Sequence, residues 1–544
     1  MIGSDIEYKF FGRRPVLELL KRRVLDLKEG YRQNMALIGN RHIGKSALIR
    51  QFLTNLDDRE VVAVYLDLEN REFDYFLAKM ATSLLYDYSR LKNLPLQDDM
   101  RLLMEGVRSL LPMTVQVIEH ILKDAAERRC NDAFLGLMTM AEVFSNETGL
   151  FCVLIFDEFH YMEEFGITEV FLKLGKKIMT QKRCLYIMAS SYPVLAKKIL
   201  TEKLSLLFGN FETLELDAFE PQSAQMFVDY YLGDVRMSRE LRNFLADFTA
   251  GYPLYLMLIC RELAGLSAMH KQREIYLPIL AQAVENTIFD KWGEISRHFE
   301  SAVKDLSTGK ANRLMMTVLI AIANGQNRPE DLLKVVQLKK APLTQRLNRL
   351  LDLGIIVKNG NYYYFKDKLF KYWTQYVYQR RLKDVELLPD KQRREFKEEF
   401  NRAVANHENC SRKDFSSRII ELLNCFDNEA LQLNGRKYKL PAFDRVEISK
   451  IKNETGGAID VIRGHFGEKD WLIAAKKDNF AEGDLNTVLA ETRKTGNKPG
   501  QCLIVSLSPI DQNARLKALQ ERFWVWSENE VNTLLTLFDK PFIA

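Results

Sequence analysis

Short apolar runs alternate with amphipathic stretches through the first 216 residues of the chain. Residues 35–38, 61–66, 151–156 and 184–189 are continuous apolar runs of strand length, typical of strands buried on both faces. The stretches between them have helical spacing, and the longest, residues 71–148, reads as a helical insertion whose Met and Leu stripe is either core or an assembly surface. The alternation predicts an α/β fold built on a parallel sheet.

The first apolar run leads directly into a glycine-containing loop. Gly39, Gly44, Lys45 and Ser46 fit the spacing G-x-x-x-x-G-K-[ST], and a helical pattern follows. Glycine lets the backbone turn its N–H groups toward phosphate oxygens at a helix N-terminus. A surface loop with spare glycines would share the spacing, but the strand before it and the helix after it favour a phosphate-binding P-loop. The residues predicted to bind nucleotide are Gly39, Asn40, Arg41, His42, Ile43, Gly44, Lys45, Ser46 and Ala47.

Two acids supply the second half of an ATPase site. Lys45 is expected to reach the β- and γ-phosphates of ATP, and the Ser46 hydroxyl to hold Mg²⁺. Asp157 ends the third apolar run, where it is expected to join the Mg²⁺ shell, and Glu158 to polarise the attacking water. A strand that simply ends in two solvated acids is the alternative. The P-loop about a hundred residues earlier favours catalysis.

Two hydroxyls end the fourth apolar run. Because carboxyl ends of parallel strands share one edge of the sheet, Ser190 or Ser191 is expected near the phosphates. Either could sense the γ-phosphate or position the water. The alternative is that they cap the strand or the next helix.

Together with the P-loop and the acidic pair, two flanking segments resemble the archaeal-type ATPases of the STAND branch, which are relatives of AAA+ proteins. The resemblance spans about residues 8–380 and rests on residues 10–14, Asp157-Glu158 and Gly251-Tyr-Pro253. It implies an ATPase core over 1–216 and a helical lid over 217–305. The sequence contains no clear arginine finger, so hydrolysis is expected to be slow or to depend on assembly. The further nucleotide-contacting residues that the resemblance implies are Phe11, Gly12, Arg13 and Pro253.

Residues 306–383 have the pattern of a separate small domain. Three helical segments followed by two strands around Asn359-Gly360 resemble a winged helix. Such a helix can enter the DNA major groove, although winged helices in STAND proteins also serve as structural hinges. Residues 384–400 read as a charge-rich helix of mixed sign, and 384–410 as a solvated connector. The residues predicted to contact DNA are Gln345, Arg346, Arg349 and Lys358.

Residues 411–544 resemble the restriction-endonuclease-like α/β fold that is often joined to archaeal-type ATPases. That fold needs a helix Glu, a strand Asp and a Glu-x-Lys on the next strand, and Glu421, Asp460 and Lys476 match three of these places. Ala474 stands where a metal-binding acid is required, which weakens a Mg²⁺ site. A degenerate nuclease that keeps a nucleic-acid-binding or protein-binding surface is predicted, with an active nuclease or an unrelated α/β domain as alternatives.

Bulk composition agrees with a multidomain protein. The chain has 544 residues, of which 47% are hydrophobic and 28% charged, so it is expected to be globular. No apolar run is long enough for a membrane span, and seven scattered cysteines argue for reduced thiols, so a cytoplasmic protein is expected. The net charge of +5 permits a nucleic-acid partner.

The leading hypothesis is an ATP-driven switch that binds double-stranded DNA, alone, as a homo-oligomer or with a protein partner. The alternatives are a protein-sensing scaffold ATPase and an ATP-gated nuclease.

Overall fold

The structure is a computed structural model, and it describes residues 10–204, 211–307, 310–383, 389–452, 457–494 and 499–543. The chain divides into two compact units. The first consists of Met1–Ala218 with the short pieces Tyr252–Leu254 and Asp352–Gly354, and the second contains the remaining residues. Within the described ranges no helix is both long and apolar enough to cross a bilayer.

A five-stranded parallel sheet forms the centre of the first unit. Its strands are β1 (Asn34–Ile38), β2 (Val61–Asp67), β3 (Phe151–Asp157), β4 (Cys184–Ser190) and β5 (Phe211–Glu215). Their order across the sheet is β2-β3-β4-β1-β5, and every neighbouring pair is parallel. β1 and β4 are buried at every position, as expected for central strands covered on both faces. The strand that precedes the P-loop therefore lies next to the strand that ends at Ser190.

The long segment between β2 and β3 belongs to the core of this unit. Phe76 lies against Phe156 of β3 with ring centroids 5.9 Å apart, and Phe144 against Tyr88 at 5.5 Å. Its apolar stripe is therefore core. The helices of the unit are α1 (Arg14–Lys28), α2 (Lys45–Thr54), α3 (Phe73–Leu91), α4 (Met100–Val107), α5 (Pro112–Ala126), α6 (Cys130–Thr148), α7 (Val170–Thr180) and α8 (Pro193–Lys198).

The second unit begins with helices and continues into a three-helix group with a hairpin. Trp373, just after the hairpin, is fully buried and stacks on Phe370 with ring centroids 6.0 Å apart. The elements are α9 (Pro221–Leu232), β6 (Arg236–Met237), α10 (Arg239–Phe248), α11 (Pro253–His270), β7 (Glu274–Ile275), α12 (Leu277–Val284), α13 (Glu294–Ser307), α14 (Lys310–Ala323), α15 (Pro329–Val336), α16 (Lys340–Asp352), the hairpin β8 (Ile356–Asn359) and β9 (Tyr362–Phe365), α17 (Lys368–Trp373) and α18 (Gln379–Lys383).

The charge-rich segment that follows is a packed helix, α19 (Pro389–Ser411). Its residues Phe396, Phe400 and Val404 recur every four positions and are almost wholly buried. Phe400 meets Phe248 of α10 edge to face, with centroids 5.6 Å apart. The expectation of a solvated connector is wrong for this helix, because one apolar stripe at helical spacing suffices to dock it despite its many charges.

The C-terminal part is a second α/β layer structure. Its five-stranded sheet has the order β12-β13-β14-β15-β16, with β12 to β14 antiparallel and the last two pairs parallel. Helices cover both faces and create two separate cores. The elements are α20 (Phe415–Leu423), the hairpin β10 (Ala430–Leu433) and β11 (Arg436–Lys439), β12 (Arg445–Lys452), β13 (Ala458–Phe466), β14 (Lys469–Lys476), α21 (Glu482–Lys494), β15 (Gln501–Ser506), α22 (Gln512–Gln520), β16 (Trp524–Trp526) and α23 (Glu528–Leu537).

Candidate nucleotide-binding site

The loop between β1 and α2 has the backbone that a phosphate cradle needs. Gly44 has φ +92° and His42 has φ +67°, so the chain turns through left-handed conformations before α2 begins. A Cβ on Gly39 would lie 2.5 Å from the main-chain oxygen of Leu216, which leaves room only for glycine. Ile43 is buried and Ala47 is exposed on α2. These features hold the loop N–H groups at the start of a helix, where anions bind well.

Lys45 is buried at the centre of the loop. Its amine donates hydrogen bonds to the main-chain oxygens of Gly39 and Asn40, both at 3.0 Å, and to the Ser191 hydroxyl at 2.7 Å. Burial lowers the pKa of the amine, while the nearby Glu158 and Asp157 carboxylates oppose that shift. The lysine is thus held where the ends of β1 and β4 meet.

Ser46 and Asp157 lie together, as sequence reasoning expects of a magnesium pair. The Ser46 hydroxyl donates to Asp157 Oδ2 at 2.7 Å. Tyr65 of β2 donates its hydroxyl to the same oxygen at 2.9 Å, and burial followed by the Asp157 charge raises the pKa of Tyr65. A hydroxyl and a carboxylate oxygen are ligands that Mg²⁺ prefers, so these two residues fit the ion. Sequence reasoning missed Tyr65, since nothing local marks it.

Glu158 turns back onto the end of β4. Its backbone is left-handed, with φ +54°, and its carboxylate accepts hydrogen bonds from the Ser191 N–H at 2.8 Å and from the Ser191 hydroxyl. Burial raises the pKa of Glu158, and Lys45 and the Ser191 hydrogen bonds partly offset that rise. Ser191 therefore bridges the predicted water activator and the predicted phosphate-binding lysine.

Ser190 contacts a histidine that the sequence did not mark. The Ser190 hydroxyl lies 3.0 Å from His160 Nδ1, which in turn lies 3.5 Å from Glu158 Oε2. Burial, reinforced by the charges of Arg41, Arg71 and Lys45, lowers the pKa of His160 to about 3. The imidazole is therefore neutral near pH 7 and can orient Glu158 without competing for its proton.

The residues implied by the family resemblance lie near the loop after β5. Gly12 and Arg13 both have positive φ, and the Arg13 guanidinium donates to the main-chain oxygen of Asp217. Asp217 follows Leu216, the residue that packs against Gly39. Phe11 is half-buried just ahead of them.

The Gly-Tyr-Pro segment reaches the P-loop through its tyrosine. The Asn40 amide donates to the Tyr252 hydroxyl at 3.2 Å, and Pro253 begins α11 directly afterwards. Asn40 thus links the loop to this segment. Pro253 itself remains a predicted nucleotide contact.

The three residues proposed for a degenerate nuclease site do not share a face of the C-terminal sheet. Asp460 pairs with Ala475 across the strands and receives a hydrogen bond from Ser416 of α20. Lys476, the next residue along β14, must point to the opposite face. Glu421 of α20 binds Lys413. The prediction that Glu421, Asp460 and Lys476 converge is wrong, because the strand register separates the lysine from Asp460.

Lys476 has a structural partner instead. Its amine lies 2.6 Å from the fully buried carboxylate of Asp484, which also accepts the N–H of Ala481 at 2.8 Å. Lys476→Ala is expected to destabilise this sheet by about 3 kcal/mol, because it removes the cation of a buried ion pair and keeps the buried carboxylate.

Urea unfolding followed by tryptophan fluorescence measures this effect, since Trp471, Trp524 and Trp526 belong to the sheet. Lys476→Met combined with Asp484→Leu is the control, and we expect it to recover most of the lost stability. An unfolding midpoint for Lys476→Ala equal to that of the wild type would contradict the structural role.

The four side chains predicted to contact DNA differ in their exposure to solvent. Gln345 and Arg349 are exposed, whereas Arg346 is half-buried and donates to the main-chain oxygen of Pro342 at 2.8 Å. Lys358 on β8 is exposed, with its amine 5.5 Å from the centre of the Tyr363 ring. Three of the four side chains are therefore accessible, and Arg346 is committed to its own helix.

The β8–β9 hairpin is docked on the β10–β11 hairpin. Asn359 exchanges two hydrogen bonds with the main chain of Gln432, at 2.9 and 2.6 Å. Gly360 has φ +60°, and a Cβ there would lie 2.2 Å from the main-chain oxygen of Ala430. Tyr362 is buried in the same core as α20. The turn of the hairpin is thus an internal contact, whereas Gln345 and Arg349 of α16 remain exposed.

Comparisons with known proteins connect the chain to solved ATPase folds. No family model and no curated protein matches it. A Walker-type ATPase of Pyrococcus abyssi is 15% identical with a TM-score of 0.50, and the match covers 68% of this chain and 97% of that one. The ORC2 protein of Aeropyrum pernix, in ADPNP and ADP complexes, is 14% identical with a TM-score of 0.45, over 70% of this chain and 98% of that one. RuvB of Thermotoga maritima, a Holliday junction branch migration motor, is 14% identical with a TM-score of 0.33, over 67% and 96%.

The likeness to the Pyrococcus protein concerns the fold. This chain has a parallel sheet of order β2-β3-β4-β1-β5 with a P-loop after β1. The predicted α/β fold with a P-loop NTPase sheet is confirmed: the chain has the fold of a P-loop NTPase.

Proposed function

We propose that this protein binds and hydrolyses Mg-ATP and uses its nucleotide state to control binding to double-stranded DNA. The observation that carries the ATPase half is the Ser46 hydroxyl 2.7 Å from Asp157 Oδ2, at the start of a helix whose first residue is the buried Lys45. A structural neighbour described as a Walker-type ATPase supports it.

Each residue of the site has a distinct role in this proposal. Lys45 binds the β- and γ-phosphates, and the loop N–H groups bind the oxygens between them. Ser46 and Asp157 hold Mg²⁺, which neutralises phosphate charge. Glu158 accepts the proton of the attacking water, and its raised pKa makes it a stronger base than an ordinary glutamate. Ser191 links Glu158 and Lys45 by hydrogen bonds in the absence of nucleotide, and the lysine exchanges its bond to Ser191 for one to the γ-phosphate when ATP binds.

The DNA half of the proposal rests on α16. Its exposed Gln345 and Arg349 lie on one helix of a three-helix group, in the arrangement that reads a major groove in DNA-binding proteins. Lys358 adds an exposed positive charge for phosphate.

Mg-ATP turnover by the purified protein, with and without double-stranded DNA at low salt, tests the coupling. Stimulation by DNA, with Glu158→Gln as the blank, is the expected result. Since phosphate contacts release counterions, DNA affinity should fall steeply as salt is raised. If DNA does not change the turnover, the proposed coupling to DNA is rejected, and the proposal that the protein is an ATPase is kept.

Arg349→Glu is expected to lower DNA affinity about tenfold or more, because it replaces an exposed guanidinium by a charge that phosphate repels. Fluorescence anisotropy of a labelled duplex measures it. Lys79→Glu, an exposed reversal on α3, is the matched control and should change the affinity little. An equal loss in both variants would assign binding to general charge rather than to α16.

A protein-sensing ATPase without DNA contact is the second candidate. The docked β8–β9 hairpin favours it, because a winged helix whose hairpin turn is internal can serve as a structural joint. The ATP-gated nuclease is not proposed, since Ala475 and not a carboxylate faces Asp460.

A further inference from the structure

Arg41, the third residue of the P-loop, places a half-buried positive charge among aromatic side chains. Its half-buried guanidinium lies 3.5 Å from the Tyr161 hydroxyl and 5.3 Å from the centre of the Tyr192 ring. It is also close enough to Glu158 and Lys45 to interact electrostatically with both. The guanidinium is therefore held by the aromatic residues that follow Glu158 and Ser191 in the chain, within electrostatic range of the phosphate-binding lysine and the water activator.

Arg71 provides an internal comparison. Its guanidinium covers the ring of the same Tyr161 at 4.1 Å, but it binds both carboxylate oxygens of Glu164, at 3.1 and 3.3 Å. Arg41 has no carboxylate within ion-pair distance among the described residues. A partly buried cation that is held by aromatic rings and lacks a counter-ion favours the arrival of an anion.

We propose that Arg41 is the catalytic arginine that this chain supplies in cis to the γ-phosphate. The inference rests on the proposed ATPase function and adds a residue to its mechanism. Guanidinium N–H groups bind two phosphate oxygens at once, and in phosphoryl transfer the negative charge spreads over the γ-oxygens in the transition state. Arg41 stabilises that charge.

The step balances without a further reactant. The water oxygen forms a bond to the γ-phosphorus as the bond from that phosphorus to the β–γ bridging oxygen breaks. The electron pair of the broken bond passes to the β-phosphate of ADP, and the water proton passes to a Glu158 carboxylate oxygen. Arg41 donates its N–H groups to the γ-oxygens throughout and keeps its own protons.

Turnover and transition-state trapping by the full-length protein test the assignment. Arg41→Ala should lower the turnover number by about 10²- to 10³-fold and leave ADP affinity within about threefold of wild type. The variant should also fail to retain ADP with aluminium fluoride, which imitates the transferring phosphoryl group. Arg41→Lys should recover little, because an ammonium cannot make the two-pronged contact. Arg71→Ala is the matched control and should trap ADP with aluminium fluoride as wild type does.

Mixing two inactive variants distinguishes an Arg41 that acts within its own molecule from one that acts on a neighbouring molecule. If Arg41 acted on a neighbouring molecule, Arg41→Ala mixed with Glu158→Gln would regain turnover, so recovery overturns the cis assignment. Turnover by Arg41→Ala within about threefold of wild type overturns the assignment as well, and the ATPase proposal then stands.

A wild-type protein that turns over ATP no faster than Lys45→Ala would reject the ATPase proposal and the arginine assignment together. Equal losses of ADP affinity and turnover in Arg41→Ala would assign Arg41 to ground-state binding and overturn its catalytic role.

Discussion

Lys45→Ala is expected to abolish Mg-ATP binding at concentrations that saturate the wild-type protein. The amine is buried, and its present acceptors are two loop carbonyls and the Ser191 hydroxyl. Charge-assisted hydrogen bonds to phosphate contribute about 1.5–3 kcal/mol each, so loss of two of them lowers affinity by about 10²-fold or more. Isothermal titration calorimetry with Mg-ATP measures the change.

The fold of the variant must be checked beside its affinity. Thermal unfolding of Lys45→Ala shows whether the variant is folded at the temperature of the titration. Lys79→Ala, which removes an exposed amine from α3, is the control and should bind as wild type does. A folded Lys45→Ala that binds Mg-ATP within about threefold of wild type would contradict the P-loop assignment.

Local patterns were sufficient to predict four strands of the first sheet and the P-loop. Continuous apolar runs mark β1, β2, β3 and β4, since strands that are largely covered on both faces have few polar positions. β5 escaped this reasoning, because its sequence Phe-Glu-Thr-Leu-Glu has no continuous apolar run and the strand is only partly buried. The helix α19 was predicted, but its packing was not, because its buried stripe is narrow and is outnumbered by charges.

The chemistry of the site was predictable only where it follows a motif. Ser46 and Asp157 were expected together because carboxyl ends of parallel strands share an edge. Tyr65 and His160 were not expected, although both contact the motif residues. Their roles depend on which strand lies beside which, and no local spacing carries that information. Arg41 was expected as a loop residue, but its aromatic neighbours come from elsewhere in the chain.

Strand register explains why the three candidate nuclease residues do not converge. Glu421, Asp460 and Lys476 have suitable identities and lie on suitable elements, but side chains alternate between the faces of a strand. A difference of one residue between Ala475 and Lys476 decides whether the lysine meets Asp460 or Asp484. Sequence spacing could not fix this register.

Glu158→Gln is expected to bind Mg-ATP like the wild type and to lower its turnover by about 10³- to 10⁴-fold. The amide has the shape of the carboxylate, and its oxygen can still accept the Ser191 N–H, which the carboxylate binds at 2.8 Å. It cannot take the proton of the attacking water. Comparing single-turnover rates with nucleotide affinity separates the two effects, and normal turnover by Glu158→Gln would show that another group activates the water.

The pH profile gives this prediction a second readout. Because burial raises the pKa of Glu158, the wild-type rate should fall on acidification at a higher pH than an ordinary glutamate would produce. His160 cannot cause that fall, since its pKa of about 3 keeps it neutral above that pH. The residual rate of Glu158→Gln should lack the acidic limb, because the titrating base is gone. If the limb persisted in the variant, the titrating group would be another residue and Glu158 would serve to position Ser191 and Lys45.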